Sequence, residues 1–232
     1  MQKQRLVVLT GAGISAESGI KTFRDSGGLW EEYDVMEVAS IEGWYKNPQL
    51  ILKFYNDRRK QLEKAQPNAA HTSLAGAEKD FEVKIITQNI DNLHERAGST
   101  SVLHLHGELT KAKSTGNPNK LIDIGYNDIK WGDTDGDGFQ LRPHVVWFGE
   151  PVPAMNDAAK LVQSAEIFAI VGSSLNVYPA AGLLDFAPKG CRIFLIDPKN
   201  VNVGRRDVTV IKENASVGVS KMLDMIKEKH LS

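Results

Sequence analysis

Gly11-Ala12-Gly13-Ile14-Ser15-Ala16-Glu17-Ser18-Gly19-Ile20, running on to Thr22-Phe23-Arg24, follows directly on the aliphatic run Leu6-Val7-Val8-Leu9. A short β-branched and aliphatic run of this kind reads as a buried parallel strand. Strand, glycine turn and polar helix start in that order make a phosphate cradle. Gly11 permits the tight turn, Gly13 lets the backbone approach a pyrophosphate, and Ala16 takes the small third position of the dinucleotide fingerprint. Exposed amides and the positive end of the helix then favour an anion. The motif is common on its own, so its weight comes from what surrounds it.

Runs of buried-strand character recur at 6–9, 83–88, 102–106, 167–171, 191–196 and 208–211. Helical patterns lie between most of them, at 48–65, 68–79, 155–164, 178–187 and 215–229. Strand and helix in alternation imply an α/β fold with a doubly wound parallel sheet. Ligands of such sheets sit at the carboxyl ends of the strands, where Gly11, Gln88, His106 and Gly172 all fall. The stretch 110–141 breaks the rhythm with Gly, Asn, Asp and Lys, and turns are expected at 114–120 and 132–138. It reads as a small excursion over 109–142, inserted into a larger part formed by 1–108 and 143–232.

Composition excludes several classes. The 232 residues carry a net charge of −1, without the basic balance of a general nucleic-acid binder. No apolar run approaches the roughly 20 residues of a membrane span. With the first strand expected within the first few residues, no signal or transit peptide is expected. Cys191 is the only cysteine, which excludes an intrachain disulfide and a cysteine-rich zinc site. A cytoplasmic enzyme of bacterial type is expected.

Taken together, GAGISAESGIKTFR, QNID (88–91), HLHGE (104–108), RPHVVWFGE (142–150) and Gly172-Ser173-Ser174 resemble the sirtuin family of NAD-dependent protein lysine deacylases. The likeness runs in order through nearly the whole chain and is strongest to a bacterial branch similar to the desuccinylase type. It implies a Rossmann-like large domain. It also implies that NAD is a consumed co-substrate.

His106 stands at a strand's carboxyl end and titrates near neutrality, as a general base must; the alternative is a satisfied core histidine. The resemblance makes it the base acting on a ribose hydroxyl. Asn89 and Asp91 are read as helix-capping residues or, by resemblance, as the lining of the nicotinamide and ribose site, with Asp91 holding the carboxamide. The same resemblance gives the nucleotide Gly11, Ala12, Gly13, Ser15 and Glu17, then Thr22, Phe23 and Arg24 of a following loop. Phe23 shields the reactive ribose carbon there and Arg24 neighbours the phosphates. Gln88 and Ile90 join from the QNID motif, Gly172, Ser173 and Ser174 from a later turn, and Asp197, Pro198, Lys199 and Ala215 around the adenosine. The family more often has Asn where Asp197 stands. His71, His94, His104 and His144 receive no catalytic role.

For the substrate, 145–150 is an extended run, either a core strand or, by resemblance, an edge that pairs with a peptide by β-augmentation. Val146 and Phe148 would line the acyl-lysine tunnel, with Trp147, Gly149 and Glu150 completing the segment. Tyr55 and Arg58 lie three residues apart on a predicted helix and share a face. Such a pair is ordinarily half core and half solvated surface. Here it matches the family's Y-x-x-R pair for acidic acyl groups, since Arg offers a bidentate fork to a carboxylate and Tyr a hydroxyl donor. Ala39 matches the small residue that leaves room for a longer acyl chain. Succinyl-lysine and malonyl-lysine are therefore the expected substrates, with acetyl-lysine still fitting.

One departure concerns the metal. The family commonly holds four zinc-binding cysteines, and none stands in this region. Ser114 occupies roughly the first of these positions and 132–138 the second pair. The stretch from Asp133 to Asp137 resembles the start of a calcium loop, but its twelfth position is His144 where a bidentate Glu is needed. An Asp/Gly hairpin in place of zinc is expected, and no metal.

The implied reaction is acyl transfer from lysine to NAD, releasing nicotinamide, free lysine and O-acyl-ADP-ribose. Three alternatives stand beside it: a nicotinamide-dependent oxidoreductase of shared fold class, a protein mono-ADP-ribosyltransferase, and a non-catalytic reader of acyl-lysine or nucleotide. The oxidoreductase lacks an acidic ribose-binding residue after a second strand.

Overall fold

The computed structural model describes residues 3–21, 33–175, 178–201 and 207–228. In chain order its strands are β1 (Arg5–Thr10), β2 (Glu82–Thr87), β3 (Val102–His104), β4 (Gly107–Ser114), β5 (Leu121–Asp123), β6 (Leu141–Val145), β7 (Ile167–Val171), β8 (Arg192–Ile196) and β9 (Val208–Ile211). The helices are α1 (Ala12–Ala16), α2 (Val35–Val38), α3 (Ile41–Lys46), α4 (Pro48–Lys64), α5 (Ala69–Ala77), α6 (Leu93–Arg96), α7 (Met155–Gln163) and α8 (Ala215–Glu228), with a 3-10 helix at Ala180–Phe186.

β1, the aliphatic run before the glycine turn, lies at the centre of a six-stranded parallel sheet ordered β3-β2-β1-β7-β8-β9. The chain moves outward through β2 and β3, then resumes on the other side of β1 with β7. That reversal opens a crevice at the carboxyl ends of β1 and β7, the ligand position of doubly wound sheets. Both faces of the sheet are covered, which is why its strands read as unbroken apolar runs. Leu6, Val8 and Ile85 pack with Leu74 of α5 and Val219 and Met222 of α8. Val7, Leu9 and Ile86 face the other way, toward Val162 of α7 and Leu183 of the 3-10 helix. Each such fully buried aliphatic side chain contributes about 1.5–3 kcal/mol.

A second, three-stranded antiparallel sheet is ordered β5-β4-β6. Its core takes Phe54, Tyr55 and Leu62 from α4 together with Leu109, Ala112, Leu141 and Trp147. The excursion drawn over 109–142 is thus only part of this second core, because α4 supplies one wall. Pro48 opens α4 and Asn47 caps it through the Leu50 amide.

Local departures from the sequence reading have clear causes. The strand expected over 102–106 ends at His104; the Leu105 amide still reaches Thr87 O at 2.9 Å, and His106 leaves the sheet for the crevice. The helix expected at 178–187 is a 3-10 helix. His71 is a cap residue: its Nδ1 accepts the Asn68 amide at 3.3 Å, completing a capping box at the start of α5. Burial lowers its pKa to about 4, and it packs edge-on to His94. Among the described residues no helix is long and apolar enough to cross a membrane.

Candidate active site

The floor of the crevice is backbone packed on backbone. A Cβ on Gly13 would fall 2.7 Å from Gly172 Cα, and one on Gly11 2.7 Å from Gly172 O. Gly172 itself has φ +61, and a Cβ there would lie 2.4 Å from the Ile14 amide nitrogen. These glycines let the turn after β1 and the turn after β7 touch. The amides of Gly11 and Gly13 donate to Val171 O and Gly172 O at 3.0 and 2.9 Å, and that of Ile14 to Gly11 O at 3.1 Å. Of the expected cradle, the amides of Gly11, Gly13 and Ile14 are therefore already used, and Gly13 serves contact between two turns. Ala16 is exposed, so it does not take the close-packing role of a third small position.

Short polar side chains stand on this floor. Asn89 Nδ2 donates to Gly11 O and to Ser15 Oγ, each at 3.1 Å, and Ser15 Oγ donates to Asp91 at 2.9 Å. Asp91 also accepts the Leu93 amide at 3.2 Å, but the N-cap of α6 is Asn92, which makes no side-chain cap bond, so the helix-cap reading of Asn89 and Asp91 is corrected: both side chains turn to the floor of the crevice. Burial raises its carboxyl pKa, against the pull of the Leu93 amide and the Ser15 hydroxyl. Gln88 Nε2 reaches Ser173 Oγ at 2.9 Å and ties the two turns again. His106 Nδ1 lies 2.9 Å from Gln88 O. A carbonyl only accepts, so Nδ1 carries the proton and Nε2 keeps its lone pair. Burial lowers the His106 pKa, offset in part by the Gln88 carbonyl. A neutral imidazole with a basic Nε2 is the state a general base needs.

The three glycines and the side chains of Ser15, Gln88, Asn89, Asp91, His106 and Ser173 line one cavity of about 1040 Å³, shared with Ala12, Glu17, Ile90, Ser174, Asp197, Pro198, Lys199 and Ala215. Glu17 accepts the Ser216 amide near the start of α8 at 2.9 Å, and Asp197 accepts the Lys199 amide at 2.8 Å, so both shape the far end of the cavity. Thr22, Phe23 and Arg24 lie outside the described residues.

The other end of the same cavity is lined by Ala39, Tyr55, Arg58 and 146–150. Tyr55 and Arg58 are buried, 3% and 8% exposed, where a solvated helix face would leave them open. Trp147 Nε1 donates to Tyr55 Oη at 3.0 Å. Since that indole N–H can only donate, the Tyr55 proton points elsewhere. Burial pushes the Tyr55 pKa up to about 12, so the hydroxyl remains a donor near neutral pH. The Arg58 guanidinium lies 5.7 Å from the Phe54 ring centre, and burial lowers its pKa.

The segment after β6 is less open than its sequence suggests. The amides of Val146 and Phe148 donate to His106 O and Ala39 O at 2.9 Å each, and Trp147 donates to Glu150 at 2.9 Å. Trp147 is buried, whereas Phe148 is 43% exposed at the cavity mouth. Glu150 is held by Arg142 through a bidentate pair of 2.8 and 2.9 Å, so it clamps the segment. Arg142 was not singled out from the sequence. It also stacks on Trp147, 3.4 Å from the ring centre. All three stand in the RPHVVWFGE stretch, but its sequence does not show that Arg142 and Glu150 pair or that the guanidinium stacks on Trp147.

The family's metal does not fit the second sheet. Ser114 Oγ accepts the amides of Gly116 and Asn117 at 3.1 Å each, and the ammonium of Lys120 lies 2.6 Å from Asp137 and 3.8 Å from Asp135. Among the described residues no group of three or more His, Cys, Asp or Glu is placed to hold a metal ion.

The family model described as the Sir2 family matches residues 11–179. An NAD-dependent protein deacylase of Bacteroides thetaiotaomicron is 52% identical over 229 residues, covering 96% of this chain and 98% of that protein. The crystal structure of a Sir2 homologue bound to NAD superposes with a TM-score of 0.87 at 36% identity, covering 99% of this chain and 91% of the other. A mutant Sir2 homologue in complex with 2'-O-acetyl ADP-ribose also superposes at 0.87, with 35% identity over 98% of this chain and 93% of its own. The chain belongs to the Sir2 family. Its activity is that of an NAD-dependent protein deacylase.

Proposed function

We propose that this enzyme removes acidic acyl groups, succinyl and malonyl, from protein lysines, and acetyl as well, without zinc. The observation that carries the acyl preference is the burial of Tyr55 and Arg58 in the same cavity as His106. A guanidinium and a hydroxyl donor at the end of an otherwise apolar wall suit a carboxylate. Ala39 leaves the width for the chain that carries it.

NAD supplies the ribose carbon to which the acyl oxygen is joined as nicotinamide departs. The protein's part follows from the site. Ser15, Asn89 and Asp91 form the polar wall for nicotinamide and ribose, with Asp91 receiving the carboxamide. Gly11, Gly13 and Gly172 let two turns close beneath the phosphates. His106 Nε2 takes the proton of a ribose hydroxyl, and its Nδ1–H stays on Gln88 O so that the ring cannot rotate. Phe148 and Val146 flank the lysine stem.

The test is turnover of succinyl, malonyl and acetyl peptides with NAD, followed by mass spectrometry. The reading expects loss of the acyl group, appearance of O-acyl-ADP-ribose, and higher kcat/KM for the acidic acyl groups. A peptide that gains ADP-ribose, or a clear preference for acetyl, overturns it.

A further inference from the structure

Two histidines leave the end of β3, and each holds a carbonyl of the loop that carries Asn89. His106 Nδ1 lies 2.9 Å from Gln88 O, and His104 Nδ1 lies 3.1 Å from Asn89 O. Both nitrogens must donate, because carbonyls only accept. Their second nitrogens differ. His106 borders the cavity, whereas His104 does not and has Nε2 2.8 Å from the Glu95 carboxylate of α6. An ionised carboxylate also only accepts. A neutral His104 would set a lone pair against one of its two partners, so the contacts are satisfied together only by the imidazolium.

We propose that His104 is a positioning residue of the NAD-dependent step: a charged imidazolium bridging Glu95 and the Asn89 carbonyl, which holds the Asn89–Asp91 loop in its working shape. It touches no reacting atom. The inference rests on the nicotinamide role given above to Asn89 and Asp91.

The surroundings agree. Burial acts to discharge His104, but the Glu95 hydrogen bond and charge, Glu108 on β4 and the Asn89 carbonyl outweigh it and raise its pKa. Glu95 is itself lowered, since the His104 contact overcomes its burial. The opposing neighbours are His94 on α6 and His144 on β6, and burial holds both below the ordinary histidine value. Asp91, burial-raised, is pulled back in part by the His104 charge. One short segment thus presents a base that must be neutral and a clamp that must be charged. The acidic limb of the pH profile belongs to His106 and the alkaline limb to His104.

The test is 15N NMR of the histidine rings in the wild type and in Glu95→Gln, with nicotinamide exchange measured across pH in the presence of acyl peptide. Exchange reads nicotinamide departure and return, before His106 acts on the ribose hydroxyl. Expected is a doubly protonated His104 ring at neutral pH that deprotonates above the ordinary 6.5. In Glu95→Gln, which keeps an acceptor and removes the charge, deprotonation and the alkaline limb of exchange move to lower pH together. Exchange at mildly alkaline pH then falls by about tenfold, the factor by which one pH unit changes an ionisation ratio. His104→Gln, still folded by melting temperature, loses the limb altogether. A singly protonated ring at neutral pH overturns the charge, and a ring titration that moves while the exchange profile stays fixed overturns the positioning role. No exchange in the wild type defeats the nicotinamide reading of the loop, whereas the ring spectrum still reports the charge.

Discussion

The two ends of the cavity are built from different materials. At the nucleotide end, three glycines bring two strand-end turns into contact, and Ser15, Asn89 and Asp91 stand on that backbone floor. At the acyl end the walls are long side chains: Tyr55 and Arg58 from α4, and Trp147 locked by Arg142 and Glu150. A backbone floor has one shape for every substrate. A side-chain wall is tuned one residue at a time. The contrast predicts that damage at the first end harms all acyl substrates equally, whereas damage at the second sorts them.

His106 sits where the ends meet and gives the largest effect. His106→Ala should lower turnover of succinyl and acetyl peptides alike by about 10²–10⁴-fold, the usual cost of a lost general base. NAD and peptide binding should persist, because His106 anchors neither. Near-normal turnover by a folded variant would remove its role.

Next comes the floor. Gly172→Ala places a Cβ 2.4 Å from the Ile14 amide nitrogen in a residue with φ +61. Backbone on both sides cannot yield cheaply, so a stability loss of about 2–4 kcal/mol is expected from overlap and the left-handed conformation combined. Denaturant unfolding measures it, and the surviving activity should fall by one factor for every acyl group. A stable variant with altered acyl preference would break the contrast between the two ends.

The same contrast explains what could be read from the sequence. Glycines at a strand end are forced by local sterics, so Gly11, Gly13 and Gly172 announce the turn even though their job was misjudged: they serve turn-to-turn contact more than exposed amides. The apolar runs of β1, β2, β7 and β8 announce a sheet covered on both faces. Tyr55 and Arg58 showed a shared helix face, yet spacing alone could not say whether that face met water or a cavity. Arg142 was silent, since its partners Trp147 and Glu150 become partners only when β6 ends and the chain turns back. His104 was silent for a similar reason: its charge state follows from Glu95, which a separate helix delivers.

The acyl end gives the third effect. Arg58→Met should raise KM for a succinyl peptide and lower its kcat/KM by about tenfold to a hundredfold, the worth of one charge-assisted contact of roughly 1.5–3 kcal/mol. Acetyl turnover should scarcely change. Tyr55→Phe should act in the same direction more weakly, because a neutral donor is lost and Trp147 Nε1 loses its acceptor. Parallel kinetics on the two peptides decide the matter. Equal losses would show that the pair supports the site in general and does not select the acyl group.

The smallest effect is expected at the second sheet, where the rest of the family suggests a metal. Two turns face each other there, each wrapped around one oxygen. Ser114 Oγ gathers the amides of Gly116 and Asn117, and Asp135 Oδ1 gathers those of Asp137 and Phe139 at 2.9 and 3.2 Å. Lys120 lies between them, bonded to Asp137 and near Asp135, so a cation is already supplied by the chain. The Ser114 hydroxyl first, with the two amides and Lys120 assisting, keeps the Asp135 pKa low. A structural zinc would contribute folding energy that a chelator removes; a clasp of hydrogen bonds and a lysine would lose nothing to it. Incubation with a strong chelator should therefore leave both melting temperature and deacylation unchanged, and elemental analysis should find no stoichiometric zinc. Asp135→Asn, by contrast, should lower the melting temperature with or without chelator, because it weakens the lysine's hold on the turn. One tightly bound zinc per chain, or a melting temperature that falls on chelation, would mean that the clasp is not what joins the two turns.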